Sequence, residues 1–173
     1  EKIVPATVDI VDIPGLTKGA SHGEGVGNKF LSDIRNTDAL IHVLRCYDDE
    51  NLPHIDGSIN PVRDIETIDL ELQVKDLESV EKKIQRLEKL VKIGDKDARA
   101  GLDVLQRVTE HLENFNNLRD LDLSKAEYKH VDDLFLLTVK PVMYVCNVDE
   151  GSAVNGNEYV RQVENALTGR KAE

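Results

Sequence analysis

Cysteine is scarce. The 173 residues hold two, Cys46 and Cys146, each at the end of an apolar run. Two thiols so far apart, with no short spacing, exclude a zinc cluster and a disulfide scaffold and predict buried, reduced side chains. Long hydrophobic runs are missing too. No stretch approaches the ~20 apolar residues that span a bilayer, so no membrane partner is expected. Glu1-Lys2-Ile3-Val4-Pro5 lacks the apolar centre of a secretion signal, which points to the cytoplasm. Positive charge is in deficit, with 22 Lys and Arg against 33 Asp and Glu and a net charge of −11. A surface this acidic does not hold nucleic acid non-specifically, and no sequence-specific DNA partner is implied. The chain opens on Glu1 rather than methionine, so it is expected to be an internal segment of a longer protein.

Hydrophobic residues make up 40% and charged residues 32%, the balance of a soluble globular domain with exposed helices. The most informative stretch is Ile10-Val11-Asp12-Ile13-Pro14-Gly15-Leu16-Thr17-Lys18-Gly19. A β-branched run ends in an aspartate, and a glycine follows three positions later. Nucleotide triphosphatases place such a pair where a buried strand meets a γ-phosphate. The aspartate organises the Mg²⁺ shell, and the glycine offers a backbone N–H and absorbs a φ/ψ change. Taken alone, D-x-x-G equally describes a strand ending in a Pro-Gly turn.

Around it, residues 6–12 are expected to form a buried strand. Gly15, Gly19, Gly23, Gly25 and Gly27 make a glycine-rich connection. A helix is expected from about 27 to 36, with Phe30, Leu31 and Ile34 on one face, and a second buried strand over 38–44. This order suggests a βαβ unit with parallel strands. From about Arg63 the period turns helical. Leu70, Leu77, Ile84 and Val91 fall seven apart, Val80 and Leu87 alternate with them, and Gln73 is a polar interruption. Gly94-Asp95 breaks the run. A second helix over about 96–114 carries Ala98, Leu102, Leu105, Thr109 and Leu112 in steps of four and three. Two heptad helices joined by a short turn predict an antiparallel hairpin. Its lysines and arginines read as a solvated surface. Ser124 with Glu127 predicts a capping box. A third strand is expected over 141–147 and a last helix over 157–167.

The third strand ends in Asn147-Val148-Asp149-Glu150. Guanine-nucleotide proteins carry N-K-x-D here, the asparagine tying the loop and the aspartate clamping guanine. Val148 replaces the lysine and Glu150 the aspartate. One extra methylene moves the carboxylate out of the guanine clamp, which argues for relaxed or adenine-preferring selection. Asp149 is the alternative acid at this turn.

In combination, D-I-P-G-L-T-K-G-A-S-H-G-E-G-V-G-N-K-F-L, I-R-N-T-D-A-L-I-H-V-L-R-C-Y, N-P-V-R-D-I-E-T-I-D-L-E-L and N-V-D-E resemble the Obg-like ATPases of the YchF group of P-loop nucleotide triphosphatases, over nearly the whole chain. The resemblance implies an α/β fold: a partial P-loop NTPase-type parallel sheet (residues 1–62 and 138–173) with an inserted antiparallel coiled-coil hairpin (63–137). It implies ATP, or GTP, as substrate, Mg²⁺ as cofactor and the ribosome or a ribosomal subunit as partner. It gives Asp12 to Mg²⁺ through water, Gly15, Asn147, Val148 and Glu150 to the nucleotide, and Leu16, Gly19, Gly23 and Gly25 to the switch. Leu16 stands where a water-orienting glutamine is usual, so the family's histidine after the second strand, His54 here, becomes the catalytic candidate. His22 and His42 are expected to be structural. G-x-x-x-x-G-K-[ST] occurs nowhere in the chain, and the TGS domain of the family is absent. The segment alone is therefore expected to be inactive, with function belonging to the parent protein. A rival reading is a coiled-coil docking module for the ribosome or another protein, with nucleotide only as modulator.

Overall fold

A computed structural model of the chain describes residue 4, residues 6–13 and residues 26–171, the side chains of 26–30 excepted. Helix α1 (Val26–Arg35) leads into strand β1 (Leu40–Arg45). A long helix α2 (Pro61–Lys92) and helix α3 (Lys96–Glu113) follow. A return segment carries the short helix α4 (Lys125–Tyr128). Strand β2 (Val142–Asn147) and helix α5 (Glu158–Leu167) complete the order.

β1 and β2 pair in parallel, Leu40 opposite Val142 through to Arg45 opposite Asn147. Both occupy the expected positions, but they are not buried as expected: Ile41, Val43, Met143 and Val145 on one face are 52%, 61%, 48% and 38% exposed. The parallel crossover between them runs through α2, α3 and the return segment. The strand expected over residues 6–12 does not form. Val8, Ile10 and Val11 are 81%, 78% and 65% exposed, and residues 6–13 carry no strand pairing. A strand needs a neighbour for its ladder and burial for its apolar faces. No described strand lies beside 6–12, so its β-branched run gains neither.

α2 begins with Asn60, whose side chain accepts from the Arg63 N–H at 3.0 Å, and has Pro61 in its first turn. With 32 residues it is about 48 Å long. Three apolar clusters follow one another along it. Ile65 packs with Leu44, Cys46 and Val163. Leu72 packs with Leu31, Ile34 and Leu137. Val80 packs with Leu105, Val108, Leu112 and Leu136, with Leu77, Ile84 and Leu87 beside them. One continuous helix thus belongs first to the sheet and then to its partner α3.

This explains where the heptad reading fails. Leu70 is 43% exposed, because at its level α2 meets β1, α1 and α5 through Ile65 and Leu72 rather than α3. Gln73 is buried and donates to Asn117 Oδ1 at 2.9 Å, so the polar interruption is paired. On α3 the buried face is Ala98, Gly101, Val104, Leu105, Val108 and Leu112, wider than the expected seam. The return segment supplies the extra wall through Leu118, Val131 and Leu136.

The turn between α2 and α3 is short because each of its residues has a fixed task. Gly94 takes φ +90°, the left-handed conformation that glycine adopts without strain. Its N–H donates to Val91 O at 3.0 Å and the Asp95 N–H to Leu90 O at 3.2 Å, a Schellman pair. Asp95 then caps α3, accepting from the Ala98 N–H at 2.9 Å. At α4 both halves of the Ser124–Glu127 capping box are present. The return segment is clasped to α2 by Asp76. This fully buried carboxylate accepts from the Leu137 and Thr138 N–H groups at 2.8 Å each and from Thr138 Oγ1 at 2.7 Å.

Candidate nucleotide site

In a parallel sheet the carboxyl ends of the strands share one edge, and ligands of open α/β sheets bind outside that edge. Here that edge gathers the loop after β1 and the turn after β2. The Cys46 N–H donates to Asn147 O at 2.7 Å, extending the ladder by one rung. Asn157, the cap of α5, donates to Cys46 O at 2.7 Å, and Tyr159 donates to Asp48 at 2.8 Å. Arg45 lies over the Tyr47 ring at 4.9 Å and donates to Leu52 O at 2.6 Å.

The thiols 100 residues apart in sequence are neighbours at this edge. Burial pushes the Cys46 thiol up to about 12, with the adjacent Cys146 thiol as the next cause. Both thiols are free; Cys46 is buried as expected, whereas Cys146 is only half-buried.

At the end of β2, Asn147 is exposed and Val148 turns its side chain into the cluster of Leu44, Cys46 and Val163. Asp149 caps a 3₁₀ turn (Glu150–Ser152), accepting from the Ser152 N–H at 3.0 Å and from its hydroxyl at 2.9 Å. These bonds, the hydroxyl's first, hold the Asp149 carboxyl below the usual carboxylate range. Both Asp149 oxygens are therefore committed within the turn, and the neighbouring Glu150 is exposed.

His54 is half-buried and held on both sides. Its Nδ1 accepts from the Asp56 N–H at 3.1 Å, with Arg63 Nη2 at 3.4 Å. Its Nε2 faces Asp64 Oδ2 at 3.2 Å. Arg63 reaches Asp64 Oδ1 through Nε at 3.1 Å and Nη2 at 3.0 Å, and donates to Ser58 O at 2.8 Å. His54, Asp56 and Asp64 present ligand atoms within 4.8 Å of one another, a spacing a cation could use. The Arg63 guanidinium, 3.7 Å from Asp56 and 3.0 Å from Asp64, already supplies the positive charge there.

Among the other expected site residues, Asp12 is exposed. A single free carboxylate is the donor that Mg²⁺ takes alongside water and phosphate oxygens, so Asp12 fits that ion. Gly15, Leu16, Gly19, Gly23 and Gly25, with His22, lie outside the described residues. Sequence reasoning missed Arg63 and Asp64. Their signal was present in N-P-V-R-D, where the Asn-Pro helix start puts an aspartate in the first turn of α2.

A small parallel sheet with its motifs at the carboxyl edge defines a GTPase-like α/β protein, and comparison with known proteins agrees. The family model described as "50S ribosome-binding GTPase" matches residues 2–147. The ribosome-binding ATPase YchF of Pasteurella multocida (strain Pm70) is 47% identical over 163 residues, covering 94% of this chain and 45% of that protein. The protein of the same name from Bacillus subtilis (strain 168) is 45% identical over 100% of this chain and 48% of its own length. The solved structure of the Schizosaccharomyces pombe YchF GTPase superposes with a TM-score of 0.73 at 35% identity, over 87% of this chain and 42% of that one. The chain belongs to the YchF family of P-loop nucleotide triphosphatases. It spans slightly under half the length of these relatives. No helix among the described residues is long and apolar enough to cross a membrane.

Proposed function

We propose that this chain forms the switch and base-recognition part of a cytoplasmic, ribosome-associated nucleotide triphosphatase that hydrolyses ATP, and GTP less well, as a regulatory switch. The observation that carries the reading is the shared carboxyl edge of β1 and β2, with the His54 loop on one strand and Asn147–Glu150 on the other. Asn147 and Glu150 contact the base, while Val148 anchors the turn. With both Asp149 oxygens tied to Ser152, Glu150 is the free acid, set too far forward to clamp guanine.

Mg²⁺, when bound, neutralises charge on the transferred phosphoryl group. Asp12 would hold that ion through water, Gly15 would give its N–H to the γ-phosphate, and Leu16, Gly19, Gly23 and Gly25 would form the switch. Leu16 cannot orient water, so His54 takes the proton of the attacking water. Without G-x-x-x-x-G-K-[ST] the segment alone lacks most of the phosphate cradle and is inactive, so activity belongs to the full-length protein. The test is turnover of full-length His54→Ala and Leu16→Gln. His54→Ala is expected to lose about 100-fold in kcat, in the range of general-base catalysis. An unchanged rate removes His54 from the mechanism.

α2 and α3 are read as a coiled-coil arm inserted between β1 and β2, its domain comprising residues 63–137, with the ribosome as the surface it docks on. What supports this is the far half of α2, where Lys82, Arg86, Lys89 and Lys92 are exposed beyond Val80. Replacing residues 84–101 by a short glycine linker is expected to abolish ribosome co-sedimentation and to leave nucleotide hydrolysis intact. Retained co-sedimentation places the docking surface elsewhere.

A further inference from the structure

The loop that carries His54 does not hold its ring alone. Two donors point at Nδ1: the Asp56 N–H at 3.1 Å and Arg63 Nη2 at 3.4 Å. A nitrogen approached by two donors carries the lone pair. The proton of the neutral ring then sits on Nε2, where Asp64 Oδ2 stands at 3.2 Å to accept it. Asp64 is itself fixed, its other oxygen taken by the Arg63 guanidinium at two points. Arg63 and Asp64 belong to the first turn of α2, which Asn60 caps and Ile65 roots in the core. The orientation of a loop histidine is thus set by a rigid helix.

We propose that Asp64 is a positioning residue for hydrolysis: it selects the Nε2–H tautomer of His54 and leaves Nδ1 as the nitrogen that accepts the proton of the attacking water. This rests on the reading of His54 as the catalytic group. A carboxylate on one imidazole nitrogen, with the other left basic, is the orienting arrangement of hydrolytic triads. The Asp56 N–H now on Nδ1 comes from two residues along the same loop, so a small loop rearrangement exchanges it for water. Arg63 holds Asp64 in place, and its Nη2, 3.4 Å from Nδ1, has to withdraw together with the Asp56 N–H before water reaches that nitrogen.

The tests use full-length protein with ATP. Asp64→Asn can turn its amide N–H toward Nε2, which favours the opposite tautomer. It is expected to lower kcat by about 10- to 100-fold with KM for ATP unchanged, within the range of a misoriented general base. Asp64→Glu, which restores a carboxylate, is expected to recover part of the loss. In the His54→Ala background Asp64→Asn is expected to have no further effect. A second readout is independent of turnover. Long-range ¹H–¹⁵N spectra of ¹⁵N-histidine-labelled protein should show His54 protonated on Nε2 in the wild type and shifted toward Nδ1 protonation in Asp64→Asn. An unchanged kcat in Asp64→Asn, beside a large loss in His54→Ala, overturns the role of Asp64 and keeps His54. Full activity of His54→Ala overturns the underlying reading. A wild-type ring protonated on Nδ1 refutes the tautomer, whatever the rates.

Discussion

Acid should loosen this fold at one identifiable residue. His42 sits in the middle of β1, opposite Tyr144 on β2, with the ring centroids 5.6 Å apart. Burial pushes its imidazole down from the ordinary 6.5 to about 4, Asp64 pulling the other way and Arg119 adding to the fall. The folded chain therefore keeps His42 neutral where the unfolded chain protonates it. Stability is complete above pH 6.5 and is lost as pH falls toward about 4. At ~1.36 kcal/mol per pH unit, the whole window amounts to about 3 kcal/mol, of which about 2 kcal/mol has gone by pH 5. The assay is urea denaturation at pH 7.5, 6 and 5 for the wild type and His42→Phe, a ring that keeps the contact with Tyr144. The contributions of the other histidines cancel in the difference between the two proteins. The wild type is expected to lose about 2 kcal/mol more than the variant between pH 7.5 and 5, with equal m-values. Parallel declines in the two proteins would refute the assignment.

Other perturbations probe the elements that hold the site. Asp76→Ala strands the Leu137 and Thr138 N–H groups in the core and is expected to cost about 2–6 kcal/mol by chemical denaturation, with Asp76→Asn costing less because one acceptor oxygen remains. Leu105→Ala, at a fully buried position facing Val80 and Val108, is expected to cost about 2–5 kcal/mol and to leave the β1–β2 edge intact by amide exchange. The Ser124 hydroxyl and N–H, followed by Arg107, hold the Glu127 carboxyl down at about 2 from its ordinary 4.5. Its contribution is therefore present above pH 4.5 and is lost as pH falls toward 2, so the stability gap between the wild type and Glu127→Gln should close across that interval in thermal melts.

Local chemistry was legible in the sequence wherever a residue's task is completed by its near neighbours. Gly94-Asp95 reads as a stop and a start because the glycine's φ and the aspartate's cap are local needs. Ser124 and Glu127 form their box for the same reason. The two paired strands were readable from apolar runs that end at turns. What escaped depends on distant partners. Residues 6–12 carry a strand's composition, but a strand forms only beside another. Leu70 keeps the heptad spacing, yet α2 changes neighbours along its length and turns Leu70 outward. Asp76 looked like one acid among many, although it is among the most buried groups in the chain. At the site, N-V-D-E named the turn, but only geometry divided the work: Asp149 closes the turn, Val148 anchors it and Glu150 stays free. His54 was singled out as a candidate through resemblance alone. Its attachment to Asp64 crosses ten residues and a loop, which no spacing rule anticipates.

The central proposal is that Glu150, the exposed acid after β2, does not clamp guanine, so that the full-length protein prefers ATP. Calorimetric titration of ATP and GTP into full-length protein, beside Glu150→Asp, tests it most directly. The account predicts that the wild type binds ATP more tightly than GTP, and that Glu150→Asp, which withdraws the carboxylate by one methylene, raises the affinity for GTP. A clear GTP preference in the wild type, or a Glu150→Asp protein with unchanged selectivity, would contradict it.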